Sequence, residues 1–264
     1  MLRADVDQRR PVAYLDRALP IAFAHRGGAA HQPENSWAAF EHAVSLGYTH
    51  LETDTRATQD GILLAFHDRT LDRVTDRRGR ISRLPYQEVS AARINGTEEI
   101  PLIEDLIMAW PDLRFNVDLK DVPAIHPMME VLRRTRAWDR VCVTSFSAQR
   151  LHAARVLLDR PVCMALSPAG VAALRMTGGL PRFGEALAAK LARTGVHCAQ
   201  VPLQIATPTF VRQAHDAGLQ VHVWTLNRRA DMERALDLGA DGIMTDQTVL
   251  LRDVLTERGL WNQN

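Results

Sequence analysis

The 264-residue chain has few cysteines, no excess of either charge and no long apolar run. Its 32 Lys and Arg residues balance 31 Asp and Glu residues, so no overall field attracts nucleic acid or an anionic membrane. No apolar stretch approaches the ~18 residues that span a bilayer, and residues 1–10 lack the apolar segment of a signal peptide. We therefore expect a cytoplasmic protein without nucleic-acid partners or stable membrane insertion, in which local groups supply any phosphate binding.

The three cysteines, Cys142, Cys163 and Cys198, are far apart in sequence, and each lies inside a predicted buried strand. No pair has the short spacing of metal ligands. We interpret them as small apolar core residues in a reducing compartment. The Gly-rich GxGxxG turn of dinucleotide-binding folds is also missing after the first strand, which disfavours that class.

Strand-like and helix-like segments alternate along the chain, and 46% of its residues are hydrophobic. A helix with Ser36 as its N-cap is predicted through about Leu46. Strands are predicted at 21–24, 48–53, 62–66, 114–119, 141–144, 161–166, 197–201, 220–225 and 241–244. Because 62–66 can continue or pair beside 48–53, these runs give eight barrel positions. The pattern predicts a closed (β/α)₈ TIM barrel, with residues 1–264 as a single domain.

Two segments depart from the alternation. Residues 68–100 are irregular and charged, which predicts a long loop or small subdomain inserted after the second strand region, and such loops are usually functional. Residues 171–193 are predicted to be helical but interrupted near Gly178-Gly179.

Polar side chains stand where the predicted strands end, and in a barrel those ends meet at one mouth, where chemistry collects. His25 and Arg26 follow the first strand, and His67 follows the run 62–66. A histidine can transfer protons near neutral pH, and an arginine offers a fork of donors that fits a phosphate.

Acidic residues follow the same rule. Glu52 and Asp54 are two apart on a strand, so their carboxylates share a face and repel unless a cation or proton separates them. Asp118 could add a third carboxylate, and Lys120 faces the same side as Asp118. An all-oxygen set suits a hard divalent ion, Mg²⁺ or Ca²⁺.

A series of short motifs runs through these elements over about residues 20–250. In order they are His25-Arg-Gly27, Pro33-Glu-Asn-Ser36, Glu52-Thr-Asp54, His67-Asp68, Leu71-Asp-Arg-Val-Thr75 with Gly79, Ile100-Pro-Leu-Ile-Glu104, Trp224-Thr-Leu-Asn227 and Gly239-Ala-Asp-Gly-Ile-Met-Thr-Asp246. The series resembles the glycerophosphodiester phosphodiesterase family. Each piece alone is a weak signal, but the ordered set is highly specific.

The resemblance implies a (β/α)₈ barrel with a small insertion after the HD motif, which agrees with the irregular stretch at 68–100. It implies metal-dependent hydrolysis of glycerophosphodiesters to glycerol 3-phosphate and an alcohol. Carried over by position, the acid–base pair is His25 and His67. The implied metal ligands are Glu52, Asp54 and Asp118, and the implied substrate contacts are Arg26, Lys120 and Trp224.

The chain departs from the family pattern at three positions. Asp118 stands where the family usually has Glu, so the ion must lie closer to that strand or be bridged by water. Ser36 replaces the Thr of the usual PENT and keeps its hydroxyl, and Gln247 stands where a Pro is common. We expect only the first to affect metal affinity.

Two other functions stay open at this stage. A phospholipase D or phosphatidylinositol-type lyase could use the same histidines on a lipid phosphodiester, and an apolar lid, for which 171–187 is the candidate, would favour it. A barrel that only binds phosphorylated ligands is supported solely by the Asp118 departure. The sequence carries no signal for the alcohol part of the substrate, the preferred ion or the oligomeric state.

Overall fold

The fold is a closed barrel of parallel strands, seen in a computed structural model that describes residues 12–176, 191 and 194–261. In chain order the strands are β1 (Ile21–Ala24), β2 (His50–Ala57), β3 (Leu63–Ala65), β4 (Arg93–Ile94), β5 (Glu98–Glu99), β6 (Arg114–Leu119), β7 (Val141–Thr144), β8 (Cys163–Ala165), β9 (Val196–Pro202), β10 (Gln220–Trp224) and β11 (Gly242–Thr245). The barrel runs β1-β2-β6-β7-β8-β9-β10-β11, and β11 pairs with β1 to close it. The predicted (β/α)₈ barrel is confirmed.

Strand β3 lies outside the barrel and pairs antiparallel with the end of β2, with Thr55 opposite Ala65. The prediction that residues 62–66 pair beside the second strand is therefore confirmed. The hairpin extends β2 beyond the barrel and brings His67 back toward its mouth.

Helices cover the outside of the barrel in the described residues. They are α1 (Trp37–Ser45), α2 (Tyr86–Val89), α3 (Ile103–Ala109), α4 (Ile125–Thr135), α5 (Ala148–Leu157), α6 (Pro168–Met176), α7 (Pro208–Asp216), α8 (Arg229–Asp237) and α9 (Thr248–Glu257). Ser36 caps α1 as predicted, since its hydroxyl accepts a hydrogen bond from the backbone N–H of Ala39. The predicted break near Gly178-Gly179 lies outside the described residues. No described helix is long and apolar enough to cross a bilayer.

The insertion at 68–100 is a small subdomain, the second of the two predicted alternatives. It contains α2 and a two-stranded ribbon, β4 paired with β5. Its own apolar cluster includes Leu71, Ile81 and Ile94 and packs against Leu64 of β3. This packing holds the insertion beside the mouth of the barrel.

The opposite end of the barrel is covered by the segment before β1. A 3₁₀ turn at Ala13–Leu15 buries Tyr14 and Leu15 against Phe23 and the three cysteines inside the barrel. The cysteines are thus buried within strands, as predicted.

Candidate active site

The site begins in a tight turn directly after β1. His25, Arg26 and Gly27 form one 3₁₀ turn in which Arg26 has φ 51° and Gly27 has φ 81°. A Cβ at Gly27 would lie 2.8 Å from the Cβ of Ala39 in α1. Only glycine therefore allows the turn to pack so closely on the helix while presenting His25 and Arg26 to the mouth of the barrel.

His25 is held by a carboxylate from the other end of the chain. Its Nδ1 lies 2.6 Å from Oδ1 of Asp246, which follows β11. An ionised carboxylate can only accept, so Nδ1 carries the proton and Nε2 faces Glu52, 3.8 Å from its Oε2. Burial alone would lower the pKa of His25, but the charge of Glu52 and the hydrogen bond to Asp246 raise it above its usual value.

His67 is held in the same way. Its Nδ1 lies 2.7 Å from Oδ1 of Asp68, and its backbone carbonyl accepts two hydrogen bonds from the buried guanidinium of Arg56. Arg73 of the insertion donates to Asp68 and holds the pKa of that carboxyl down at about 2. Both histidines thus direct Nε2 away from the carboxylate that orients them.

Glu52 is buried at the centre of the site. Its Oε2 accepts the backbone N–H of Arg26 at 3.0 Å, which ties β2 to the turn after β1. Burial, reinforced by the nearby charge of Asp54, raises the pKa of Glu52 to about 7. A buried carboxylate in this state favours a proton or a cation as its partner.

Asp54 is surrounded by cationic and amide groups. Lys120 Nζ lies 2.7 Å from its Oδ1, Arg26 Nε forms an ion pair with its Oδ2 at 3.2 Å, and the Asn35 amide donates to the same oxygen. Burial would raise the pKa of Asp54, but Lys120 and Arg26 outweigh it and lower the pKa.

Asp118 shares the same ammonium group. Its Oδ2 lies 2.8 Å from Lys120 Nζ, so Lys120 stands between two buried carboxylates. The other oxygen, Oδ1, is buried and has no hydrogen-bond partner in the described part of the chain. Burial, only partly offset by Lys120, raises the pKa of Asp118.

All the predicted site residues line one cavity of about 230 Å³ at the mouth of the barrel. The predicted members are His25, Arg26, Glu52, Asp54, His67, Asp118, Lys120 and Trp224. The lining also includes Asn116 and Gln200, which hydrogen-bond to each other across the floor. The structure therefore assembles every group that the strand ends suggested.

A second, more apolar cavity of about 300 Å³ adjoins the first. The two share Thr144, Phe146, Gln200 and Trp224 as lining residues. Its remaining lining is mainly apolar: Ala165, Leu166, Pro168, Val171, Val201, Pro202 and Ile205, with Ser145. Of the candidate lid, residues 171–176 belong to α6, where Val171 lies in this wall, Leu174 is buried and Met176 is exposed, and residues 177–187 lie outside the described residues.

The model of the Glycerophosphoryl diester phosphodiesterase family matches residues 25–250. The chain belongs to this family. It is 40% identical over 258 residues to a probable glycerophosphodiester phosphodiesterase 2 of Mycobacterium tuberculosis, covering 95% of this chain and 96% of that one. It is also 29% identical to a lysophospholipase D (GDPD1) of Homo sapiens, over 94% and 88% of the two chains. The resemblance seen in the motifs is confirmed.

A solved structure supports the fold independently. An Oleispira antarctica phosphodiesterase, in complex with the product sn-glycerol-3-phosphate, is similar with a TM-score of 0.75 at 22% identity, covering 90% of this chain and 97% of that one. The expectation of an enzyme is confirmed by membership of the phosphodiesterase family, which argues against the alternative of a barrel that only binds phosphorylated ligands.

Several supporting residues of the family site were not assigned roles from the sequence. Asp246 and Asp68 orient the two histidines, Asn35 holds Asp54, and Glu34 joins Arg26 to Arg73. The sequence signal for these residues was their place in the motifs Pro33-Glu-Asn-Ser36, His67-Asp68 and Gly239-Ala-Asp-Gly-Ile-Met-Thr-Asp246. What the motifs could not show is which partner each side chain meets.

The residues present fit a divalent ion. Glu52, Asp54 and Asp118 supply only carboxylate oxygen, which suits Mg²⁺ or Ca²⁺. Asp118 Oδ1 is a buried acceptor without a hydrogen-bond partner among the described residues, and Glu52 is a buried carboxylate with a raised pKa. Each is an electrostatic cost that a cation at this position would remove.

Proposed function

We propose that this chain hydrolyses glycerophosphodiesters to glycerol 3-phosphate and an alcohol. His25 and His67 act as the acid–base pair, and Glu52, Asp54 and Asp118 hold a divalent ion, Mg²⁺ or Ca²⁺. The observation that carries the proposal is the matched orientation of the two histidines. Each has Nδ1 bound to a carboxylate, and both line the same cavity.

Charge neutralisation is the first task of such a site, because a phosphodiester anion repels nucleophiles. Arg26 and Lys120 bring two cationic groups to the cavity wall. When bound, the ion adds Lewis-acid stabilisation of the negative charge that grows on phosphate. Asp54 and Asp118 would be two of its ligands, and Lys120, whose ammonium group contacts both carboxylates, would bind the substrate phosphate.

Proton transfer is the second task. The glycerol hydroxyl beside the phosphorylated one is tethered to the reacting phosphate, which gives it a high effective concentration as the nucleophile. One histidine accepts its proton through Nε2 while the other protonates the leaving alcohol. Water then opens the resulting cyclic phosphate with the two histidines in exchanged roles. Asp246 and Asp68 keep the proton on each Nδ1, which leaves both Nε2 atoms available.

An assay of product release tests the proposal. Glycerophosphocholine or glycerophosphoethanolamine should yield glycerol 3-phosphate with Mg²⁺ or Ca²⁺, and chelation should stop the reaction. His25→Ala and His67→Ala should each lower kcat about 10²- to 10⁴-fold. His126→Ala, which removes an exposed histidine of α4, is the matched control and should have no effect. Full turnover after exhaustive chelation would exclude the metal role, and near-normal turnover of either variant would make that histidine structural.

A second candidate function is hydrolysis of a lipid phosphodiester, as the name of the lysophospholipase D relative describes for that protein. The adjoining apolar cavity favours it, because an acyl chain could lie in that cavity, along the wall to which Phe146 and Trp224 contribute, while the phosphate stays at the histidines. Release of headgroup from lysophosphatidylcholine at rates comparable to those with glycerophosphocholine would support this activity.

A further inference from the structure

The three cysteines form a buried cluster inside the barrel. Their sulfur atoms all lie within 4.8 Å of one another, and Cys142 Sγ is 4.0 Å from Cys198 Sγ. They come from three neighbouring strands, β7, β8 and β9. Four-coordinate zinc with Zn–S bonds of about 2.3 Å holds its sulfur ligands about 3.8 Å apart. The cluster is therefore close to the spacing that a zinc ion requires.

The three sulfur atoms alone make up the group of donors within 4.8 Å of one another in the described residues, and a buried histidine beside them is the candidate fourth ligand. His222 of β10 is fully buried and packs beside the Cys198 thiol. Its Nε2 is hydrogen-bonded to Gln220, while Nδ1 is buried without a hydrogen-bond partner in the part of the chain that the structure describes. A buried imidazole nitrogen in this state is either an unmet electrostatic cost or a ligand. Hydrogen bonding of the other ring nitrogen is the arrangement found around metal-bound histidine.

The cluster lies close to the lining of the catalytic cavity. Gln200, which lines that cavity and donates to Asn116, has its Nε2 4.0 Å from Cys198 Sγ. Tyr14 closes the other side, and its buried hydroxyl also lacks a partner among the described residues. Thiols and imidazole select a soft or borderline ion, whereas the carboxylates above select a hard one.

We propose that Cys142, Cys163, Cys198 and His222 form a zinc site that joins strands β7 to β10 inside the barrel, separate from the catalytic site. Each coordinating thiol loses its proton to solvent, so binding releases up to three protons for each ion and strengthens as pH rises. Because the site is closed by Tyr14, we expect the ion to enter during folding or when the segment before β1 moves aside.

The test uses the full chain expressed with Zn²⁺ and, separately, with Co²⁺, then dialysed against EDTA. We expect about one zinc for each chain by elemental analysis, and a thiolate-to-cobalt charge-transfer band in the cobalt protein. X-ray absorption of the zinc protein should show three sulfur ligands and one nitrogen. These measurements need no variant, and carboxylate oxygen cannot produce the charge-transfer band, so they do not depend on the proposed catalysis.

Variants then assign the ligands. Cys163→Ser should lose the EDTA-resistant zinc and the charge-transfer band. Met244→Leu, a change in the same apolar cluster, should keep both, and so should Glu52→Gln at the carboxylate site. The proposal is overturned if the wild-type chain retains no more zinc than Cys163→Ser and yields three free thiols on unfolding. It is also overturned if the purified protein carries a Cys142–Cys198 disulfide.

Discussion

His25 and Asp246 are separated by 221 residues, yet Nδ1 of the histidine lies 2.6 Å from the carboxylate of the aspartate. The contact exists because β11 pairs with β1 and closes the barrel, with Ala24 opposite Thr245. Barrel closure and the protonation state of His25 are therefore linked, since the last strand supplies the group that keeps a proton on Nδ1.

Asp246→Asn tests that link. The amide oxygen can still accept the Nδ1 hydrogen bond, but the negative charge is lost, so the pKa of His25 should fall. The limb of the pH profile of kcat/KM that belongs to His25 should move to lower pH, and an NMR titration of the histidine should show the same direction. Asp237→Asn, which breaks a surface ion pair with Arg258, is the control. An unchanged profile would mean that Asp246 only fills space.

Glu52→Gln tests the buried carboxylate through stability. In metal-free protein the folded state keeps the Glu52 proton up to about pH 7, whereas the ordinary value is 4.5. Between pH 4.5 and 7 the folded state therefore binds more protons than the unfolded state. The stabilising contribution of protonated Glu52 to the free energy of unfolding is fully present below pH 4.5 and is lost as pH rises toward 7. Urea titrations with chelator at a series of pH values give the free energy of unfolding at each pH. As pH rises, this free energy should fall more steeply for wild type than for Glu52→Gln, and parallel pH dependences would contradict the raised pKa.

Asp118 tests the departure from the family pattern. Asp118→Asn should weaken metal binding and leave the fold intact, because the amide has nearly the same shape. In Asp118→Glu, the longer side chain should raise metal affinity modestly or leave it unchanged. Metal titrations of both variants and of the metal dependence of kcat decide the question. If neither variant differs from wild type, Asp118 does not bind the ion, and Glu52 and Asp54 hold it alone.

Val171→Asp tests the apolar cavity. Val171 is half-buried and lines that cavity but not the catalytic one, so a charge there should repel an acyl chain without touching the reacting groups. We expect kcat/KM for lysophosphatidylcholine to fall about tenfold or more, because loss of an apolar contact is worth about 1–3 kcal/mol. The value for glycerophosphocholine should stay within about twofold. Val156→Asp, on the exposed surface of α5, is the matched control. Equal losses on both substrates would argue against a lipid subsite.

Gly27→Ala tests the turn that carries His25. The added Cβ would meet backbone and side-chain atoms of Ala39 and Phe40 at 2.8–2.9 Å, at a φ of 81°. Gly96→Ala has a similar φ of 78° but meets nothing within 4 Å, so it measures the backbone cost alone. We expect Gly27→Ala to lower the free energy of unfolding by about 1–3 kcal/mol more than Gly96→Ala. Equal effects in denaturant titrations would show that the turn can move away from α1.

The sequence by itself determined the parts of this protein that depend on local periodicity. Alternating apolar segments specified the eight barrel strands, and a spacing of two placed Glu52 and Asp54 on one face. The serine before an apolar helix specified the cap of α1, and the ordered motifs specified the family. The strands, the shared face and the cap are readable because each depends on residues within a few positions of one another, and the family is readable from the order of the motifs along the chain.

Only the tertiary structure decided which distant groups meet. Register between strands brings Lys120 between Asp54 and Asp118, and barrel closure brings Asp246 to His25. Pairing of β7, β8 and β9 gathers Cys142 and Cys198, 56 residues apart, with Cys163 into one cluster, although no cysteine pair has metal-ligand spacing in the sequence. Such contacts depend on the geometry of the closed barrel, in which inward-pointing side chains from different strands stack in layers around the axis.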